Sequence, residues 1–95
     1  MSNRTSLLGV IMGDTKAARR DALTTEIKGF TIDTCMCVDT GEYETGIYHP
    51  KKYTGWVIVQ QYGTDTEKAK TGHAAWVKKI EDGQTEFSNV VEYGL

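Results

Sequence analysis

Residues 43–83, YETGIYHPKKYTGWVIVQQYGTDTEKAKTGHAAWVKKIEDG, decide the fold of this chain. The run at 56–62, WVIVQQY, predicts a central strand, because its nearly continuous apolar start suits burial on both faces of a sheet. Thr64, followed three residues later by Glu67, forms a capping box and predicts a helix over 65–82. The apolar stripe of this helix consists of Ala69, His73, Trp76, Val77 and Ile80.

Upstream of this stretch the apolar period changes to two, which is typical of a strand with one buried face. Thr40 and Gly41 suit a two-residue turn. We therefore predict a hairpin over 30–49 in which Thr34 stands opposite Ile47. In this alignment the two cysteines, at 35 and 37, lie on the polar face of the hairpin.

The segment 15–28 predicts a second helix, because it is rich in Ala, Arg, Leu and Glu and lies between Asp14 and Gly29. The ends of the chain, 1–13 and 84–95, predict extended interaction segments. The whole chain of 95 residues is short enough for a single domain. We therefore expect an α+β fold, in which a small antiparallel sheet, made of the 30–49 hairpin and strand 56–62, is packed by helix 65–82 and by a second helix near 15–28.

Composition argues against two classes of partner. The net charge of −2 gives no field that would gather nucleic acid or anionic lipid. The longest apolar run near the N-terminus, at 10–12, is far shorter than the roughly 20 residues that span a bilayer. We expect neither nucleic acid nor a membrane as a partner, and a cytoplasmic location.

The reactive side chains do not form a recognisable catalytic or metal site. Cys35, Cys37, His49 and His73 are candidate zinc ligands, but structural sites prefer two to four residues between paired cysteines and here there is one. A cysteine and a histidine are the minimum for nucleophilic catalysis, yet no orienting carboxylate or oxyanion loop accompanies them. We predict a protein without enzymatic activity, metal or cofactor.

The patterns also assign core and interface residues. Gly72, in mid-helix, predicts close approach of the helix to the sheet or to an aromatic ring. The predicted structural core consists of Tyr43, Ile47, Trp56, Ile58, Gly72, His73, Trp76 and Ile80. The predicted interface consists of Leu7, Val10, Ile11, Cys35, Cys37, Phe87, Val91 and Tyr93.

Three elements of the chain resemble a recurrent pattern in small, largely uncharacterised proteins of tailed bacteriophages. These elements are YETGI at 43–47, WVIV at 56–59 with Tyr62, and E-x-A-x-x-G-H-x-x-W-V at 67–77. The resemblance covers about residues 30–82 and implies a phage origin, with expression in the host cytoplasm during infection, but no established activity.

Two functional hypotheses follow from the residues and the resemblance together. The first is a virion-associated structural component that assembles with copies of itself or with other phage proteins as an oligomer, because both chain ends are apolar and a core this small is marginal alone. The alternative is an intracellular anti-defence or host-takeover protein that binds a host protein or a signalling nucleotide.

Overall fold

A computed structural model describes residues 19–38 and 40–90, which form one antiparallel sheet and one helix. The order of the strands in the sheet follows their order in the chain, so each strand pairs with its neighbours in sequence. The α+β class and the antiparallel sheet packed by a C-terminal helix are therefore confirmed. The elements are β1 (Arg19–Ile27), β2 (Phe30–Cys37), β3 (Tyr43–Tyr48), β4 (Val57–Gly63) and α1 (Thr66–Glu81). The predicted strand at 56–62 is present as β4, but its predicted central position is wrong, because β4 is the last strand in the order of the described sheet.

The predicted second helix over 15–28 is wrong wherever it overlaps the described residues, because Arg19–Ile27 is a strand. Lys28 and Gly29 both have positive φ, 53° and 85°, as the central residues of a type I′ turn do. Gly29 therefore belongs to a hairpin turn between β1 and β2 and does not end a helix. Pairing along the length of β2 outweighs the weak helix preference of this segment.

The predicted hairpin over 30–49 is present, but its alignment differs by two residues. The backbone N–H of Cys37 donates to the carbonyl oxygen of Glu42 at 2.9 Å, so the connection is longer than a Thr40-Gly41 turn. As a result, Thr34 stands opposite Thr45 and not opposite Ile47. A shift of two leaves every side chain on its predicted face, because the strand period is also two.

Helix α1 begins one residue later than the capping box predicts. Asp65 is the N-cap, and its Oδ1 accepts a hydrogen bond from the backbone N–H of Lys68 at 3.0 Å. The helix packs on one face of the sheet, which we call the helix face. Its apolar core there combines all four strands with α1, because Ile27 packs against the buried side chains Phe30, Ile32, Ile47, Val57, Val59 and Ile80.

The segment after α1 returns to the sheet without forming a strand in its described part, 84–90. The ring of Phe87 contacts Phe30 edge to face, with ring centroids 5.6 Å apart. The backbone N–H of Val90 donates to the carbonyl oxygen of Ile58 at 2.8 Å, which ties the segment to the start of β4. Several expectations fall outside the described residues: the extended segments over 1–13 and 91–95, and the interface residues Leu7, Val10, Ile11, Val91 and Tyr93.

Candidate functional site

The two edges of the sheet differ in what the described residues place beside them. At the β4 edge, the N–H of Ile58 donates to Asn89 Oδ1 at 2.6 Å and its carbonyl oxygen accepts from Val90. At the β1 edge, no strand within residues 19–38 and 40–90 pairs with the outer side of β1. An edge of this kind is a template for pairing with another chain.

The turn between β1 and β2 shows which backbone groups point outward from β1. In a two-residue hairpin the residues flanking the turn, here Ile27 and Phe30, exchange both of their hydrogen bonds. Because inward and outward groups alternate along a strand, Thr24 and Glu26 direct their N–H and carbonyl groups away from β2. A bulge between Arg20 and Leu23 interrupts the ladder. We call the regular stretch that remains, residues 23–27, the β1 edge.

The side chains of the β1 edge divide between the two faces of the sheet. Leu23, Thr25 and Ile27 lie on the helix face, and Leu23 is 38% exposed, which is high for a leucine beside a core. On the opposite face the Thr24 hydroxyl donates to Asp33 Oδ1, and Glu26 Oε2 accepts a long hydrogen bond from Thr31 at 3.4 Å. The outer strand thus presents apolar groups on one face and polar groups on the other.

A line of hydrogen bonds, partly buried at Thr25 and buried elsewhere, crosses the whole sheet beneath α1. It runs from Thr25 to His73 Nε2 at 2.8 Å, from His73 Nδ1 to Thr34 at 2.8 Å, from Thr34 to Thr45 at 2.5 Å and from Thr45 to Tyr62 at 2.8 Å. Each of the four strands contributes one hydroxyl, and α1 contributes the imidazole. We call this line the hydroxyl–histidine chain.

The electrostatics of the hydroxyl–histidine chain favour its neutral form. Burial lowers the pKa of His73, which is 7% exposed, because the charged imidazolium is poorly solvated there. Burial likewise raises the pKa of Tyr62, while hydrogen bonds with Thr45 and Trp76 act in the opposite direction. A neutral imidazole donates through one nitrogen and accepts through the other, so the hydroxyls on its two sides take opposite roles.

A cleft of about 320 Å³ opens between β1 and the first turns of α1. The cleft is lined mainly by apolar groups, with the Thr34 hydroxyl and the cationic Lys70 among its polar ones. Lys70 also lies 3.9 Å from Glu67 in an exposed ion pair. The lining consists of Ala22, Leu23, Thr34, Tyr43, Thr66, Ala69 and Lys70.

The structure separates the four candidate zinc ligands. His73 lies under α1, whereas Cys35 and Cys37 belong to the opposite face of β2. His49 lies beyond β3, where its ring contacts Phe30 at a centroid distance of 4.7 Å. Among the described residues, no three His, Cys, Asp or Glu side chains are grouped as metal ligands.

The remaining predicted site residues lie as follows. Cys35, on the predicted polar face of the hairpin, is only 2% exposed, and Cys37 is partly buried. Phe87 contacts Trp76 and Phe30 of its own chain. Of the predicted core, Tyr43, Ile47, Ile58, His73 and Ile80 are buried, and Trp56, Gly72 and Trp76 are partly buried.

Sequence reasoning missed both the β1 edge and the threonines of the hydroxyl–histidine chain. The signal for the threonines was present, because Thr34 and Thr45 occupy inward-facing positions of strands whose other inward residues are large and apolar. The signal for the edge was Gly29, which suits the second central position of a type I′ turn. Both become clear only once β1 is recognised as a strand.

No family model, curated protein or solved structure matches this chain. The described part of the chain contains no helix with the length and apolar character needed to cross a membrane. The features of this structure that bear on function are the β1 edge, the hydroxyl–histidine chain and the cleft.

Proposed function

We propose that this protein is a non-enzymatic phage protein that works by binding other protein subunits, as a virion-associated structural component, and that the β1 edge is its binding surface. The observation that carries the proposal is the contrast between the two sheet edges. Asn89 and Val90 cover the start of β4, whereas β1 is the outermost described strand at the other end of the sheet order.

Two further observations support binding through β1. The exposed Leu23 gives an added strand an apolar side chain to cover, and the adjoining cleft leaves room for side chains of that strand. Pairing of a strand at such an edge supplies main-chain hydrogen bonds for affinity and side-chain contacts for specificity. The phage origin rests on the resemblance of residues 30–82 to small phage proteins.

The test compares two substitutions at one outward-facing residue. Thr24→Pro and Thr24→Ala both remove the hydrogen bond to Asp33, but only proline also removes the outward N–H. Because β2 does not use that N–H, an edge strand tolerates proline there, and circular dichroism should show both variants folded. Phage particles should incorporate Thr24→Ala in nearly normal amounts and Thr24→Pro in clearly lower amounts, as measured by quantitative mass spectrometry.

Two outcomes would contradict the proposal. Equal incorporation of the two variants would show that the β1 edge is not the binding surface. Absence of the unmodified protein from purified particles would remove the virion role.

The cleft favours a second candidate function, in which the protein binds a signalling nucleotide during host takeover. Its volume of about 320 Å³ is at the lower end of ligand sites, and Lys70 supplies a cation for a phosphate. A panel of such nucleotides should then raise the melting temperature, and Lys70→Ala should abolish the effect. Lys68→Ala, an exposed lysine of the same helical turn outside the cleft lining, is the matched control. No melting-temperature change with any nucleotide would exclude this function.

A further inference from the structure

The cleft between β1 and the first turns of α1 has a fixed floor. Thr34 and Ala69, which both line the cleft, are buried. The hydroxyl of Thr34 is hydrogen-bonded to His73 Nδ1 at 2.8 Å and to Thr45 at 2.5 Å, so its position is set by the hydroxyl–histidine chain. The cleft is therefore preformed, as small-molecule sites usually are.

The volume of the cleft limits the size of a ligand that it can enclose. A dry cavity of about 150 Å³ holds one benzene molecule. The cleft measures about 320 Å³. A ligand enclosed there has about twelve non-hydrogen atoms, twice as many as benzene. A nucleotide is larger, so the cleft would enclose only part of it.

The side walls of the cleft favour an apolar ligand. Ala22 and Leu23 line it from β1, and Ala69 lines it from α1. Both residues of β1 are exposed in the free protein. A ligand between the two walls would remove this apolar surface from water, which is favourable.

The charges around the cleft favour an anion. Among the described residues that line the cleft, Lys70 alone is charged. The ion pair of Lys70 with Glu67, at 3.9 Å, joins two exposed side chains, and such pairs contribute little to stability. Asp65 and Glu67 line a different groove, between α1 and β4. The first turns of α1 also bring the positive end of the helix dipole to the cleft.

From this combination we infer that the cleft binds a small monocarboxylic acid with an apolar body. The apolar body lies between Leu23 and Ala69, and the carboxylate lies at the rim beside Lys70. One lysine balances the single charge of a carboxylate, whereas a phosphate group carries up to about two charges and would be balanced only in part. This ligand class goes beyond the proposed function and does not depend on protein binding at the β1 edge.

The test is an NMR titration with two probes that share one apolar body. 4-Phenylbutyrate carries a carboxylate on a phenyl-alkyl chain, and 4-phenylbutylamine carries an ammonium group on the same chain. We expect 4-phenylbutyrate to bind with a Kd of about a millimolar, as is usual for a ligand of this size. It should shift the backbone amide signals of Ala22, Leu23 and Ala69. The amine should bind about fivefold more weakly or not at all.

Matched variants at exposed positions locate the bound probe. Lys70→Ala should weaken the binding of 4-phenylbutyrate about fivefold, whereas Lys68→Ala, outside the cleft lining, should leave it unchanged. Ala22→Leu fills the cleft and should abolish binding. Ala74→Leu adds the same side chain to α1 outside the cleft lining and should not affect binding. Circular dichroism should show all four variants folded.

The contrary outcomes are distinct. Equal binding of the two probes, or equal binding by Lys70→Ala and Lys68→Ala, would overturn the preference for an anion. Unchanged binding by Ala22→Leu would overturn the cleft as the site. Unchanged amide signals at 4-phenylbutyrate concentrations well above a millimolar would overturn the ligand class. None of these results bears on the incorporation of Thr24→Pro and Thr24→Ala into particles, which tests the proposed function separately.

Discussion

Gly72→Ala should destabilise this protein, although alanine is the better helix former. The glycine lies in the middle of α1, against the ring of Tyr62 from β4. A β-carbon built on Gly72 would lie 2.5 Å from Tyr62 Cζ and closer still to Oη and Cε1. Carbon atoms in contact prefer about 3.5–4.0 Å, so the ring would have to move by about 1 Å or more.

The size of the effect follows from three contributions. Alanine favours the helix by about 1 kcal/mol over glycine. Overpacking against a ring that is 8% exposed works against this by about 1–3 kcal/mol. Displacing the Tyr62 hydroxyl also weakens its 2.8 Å hydrogen bond to Thr45, a loss of about 1 kcal/mol. The free energy of unfolding should therefore fall by about 1–3 kcal/mol.

Chemical denaturation with two companion variants measures the effect. Ala74→Gly, at an exposed position of α1, measures the helix-propensity contribution alone. Its free energy of unfolding should be about 1 kcal/mol lower than that of the unmodified protein. In a Tyr62→Leu background the obstructing ring is absent, so Gly72→Ala should become neutral or stabilising. If Gly72→Ala in the unmodified protein gains as much stability as Ala74→Gly loses, the close approach of α1 to Tyr62 is refuted.

Three further predictions concern separate parts of the molecule. Because burial lowers the pKa of His73 below its usual 6.5, the unfolded chain binds a proton before the folded one does, and the free energy of unfolding should fall below about pH 6.5 by at most about 1.4 kcal/mol per pH unit. Denaturation across this pH range should show that the free energy of unfolding depends less steeply on pH for His73→Gln. An unchanged dependence would refute His73 as its source. Asp65→Ala should lower the free energy of unfolding by about 1 kcal/mol through loss of the N-cap, as measured by thermal unfolding. Asp65→Ser should retain most of the stabilisation that the N-cap provides. Asn89→Ala should leave the N–H of Ile58 without its 2.6 Å acceptor and speed hydrogen exchange at that amide, while exchange at Ile32, in the sheet centre, stays slow.

Residues 56–62 and 65–82 were predictable because their signals are local and dense. The apolar run of β4 has few alternatives to a buried strand, and the helix combines a capping residue, an apolar stripe and a terminal glycine. The N-cap is Asp65 and not the predicted Thr64. Both residue types accept a hydrogen bond from the backbone N–H groups at a helix N-terminus, so residue type alone does not distinguish them. Only the side-chain geometry decides between two adjacent capping residues.

β1 was mispredicted because its state depends on a partner strand that local sequence does not reveal. Its composition, with Ala, Arg, Leu and Glu, has a mild helix preference of a few tenths of a kcal/mol per residue. Pairing with β2 across seven aligned positions exceeds that preference. The β1 edge could not be predicted for the same reason, since a segment assigned to a helix has no sheet edge.

The hydroxyl–histidine chain connects parts of the sequence that are far apart. Strands that follow one another in a meander can form hairpins from local contacts, but Thr25 and His73 are separated by 48 positions and must wait for α1 to dock. A β2–β3 hairpin misaligned by two residues would bury nearly the same apolar groups, yet would put Ile47 beside Thr34 and leave a hydroxyl unsatisfied when α1 arrives. An unsatisfied buried polar group raises the free energy of such a misaligned state by about 1–3 kcal/mol. The hydroxyl–histidine chain thereby widens the energy gap between the native state and the misaligned state. An interior made only of aliphatic side chains would not separate the two states in this way.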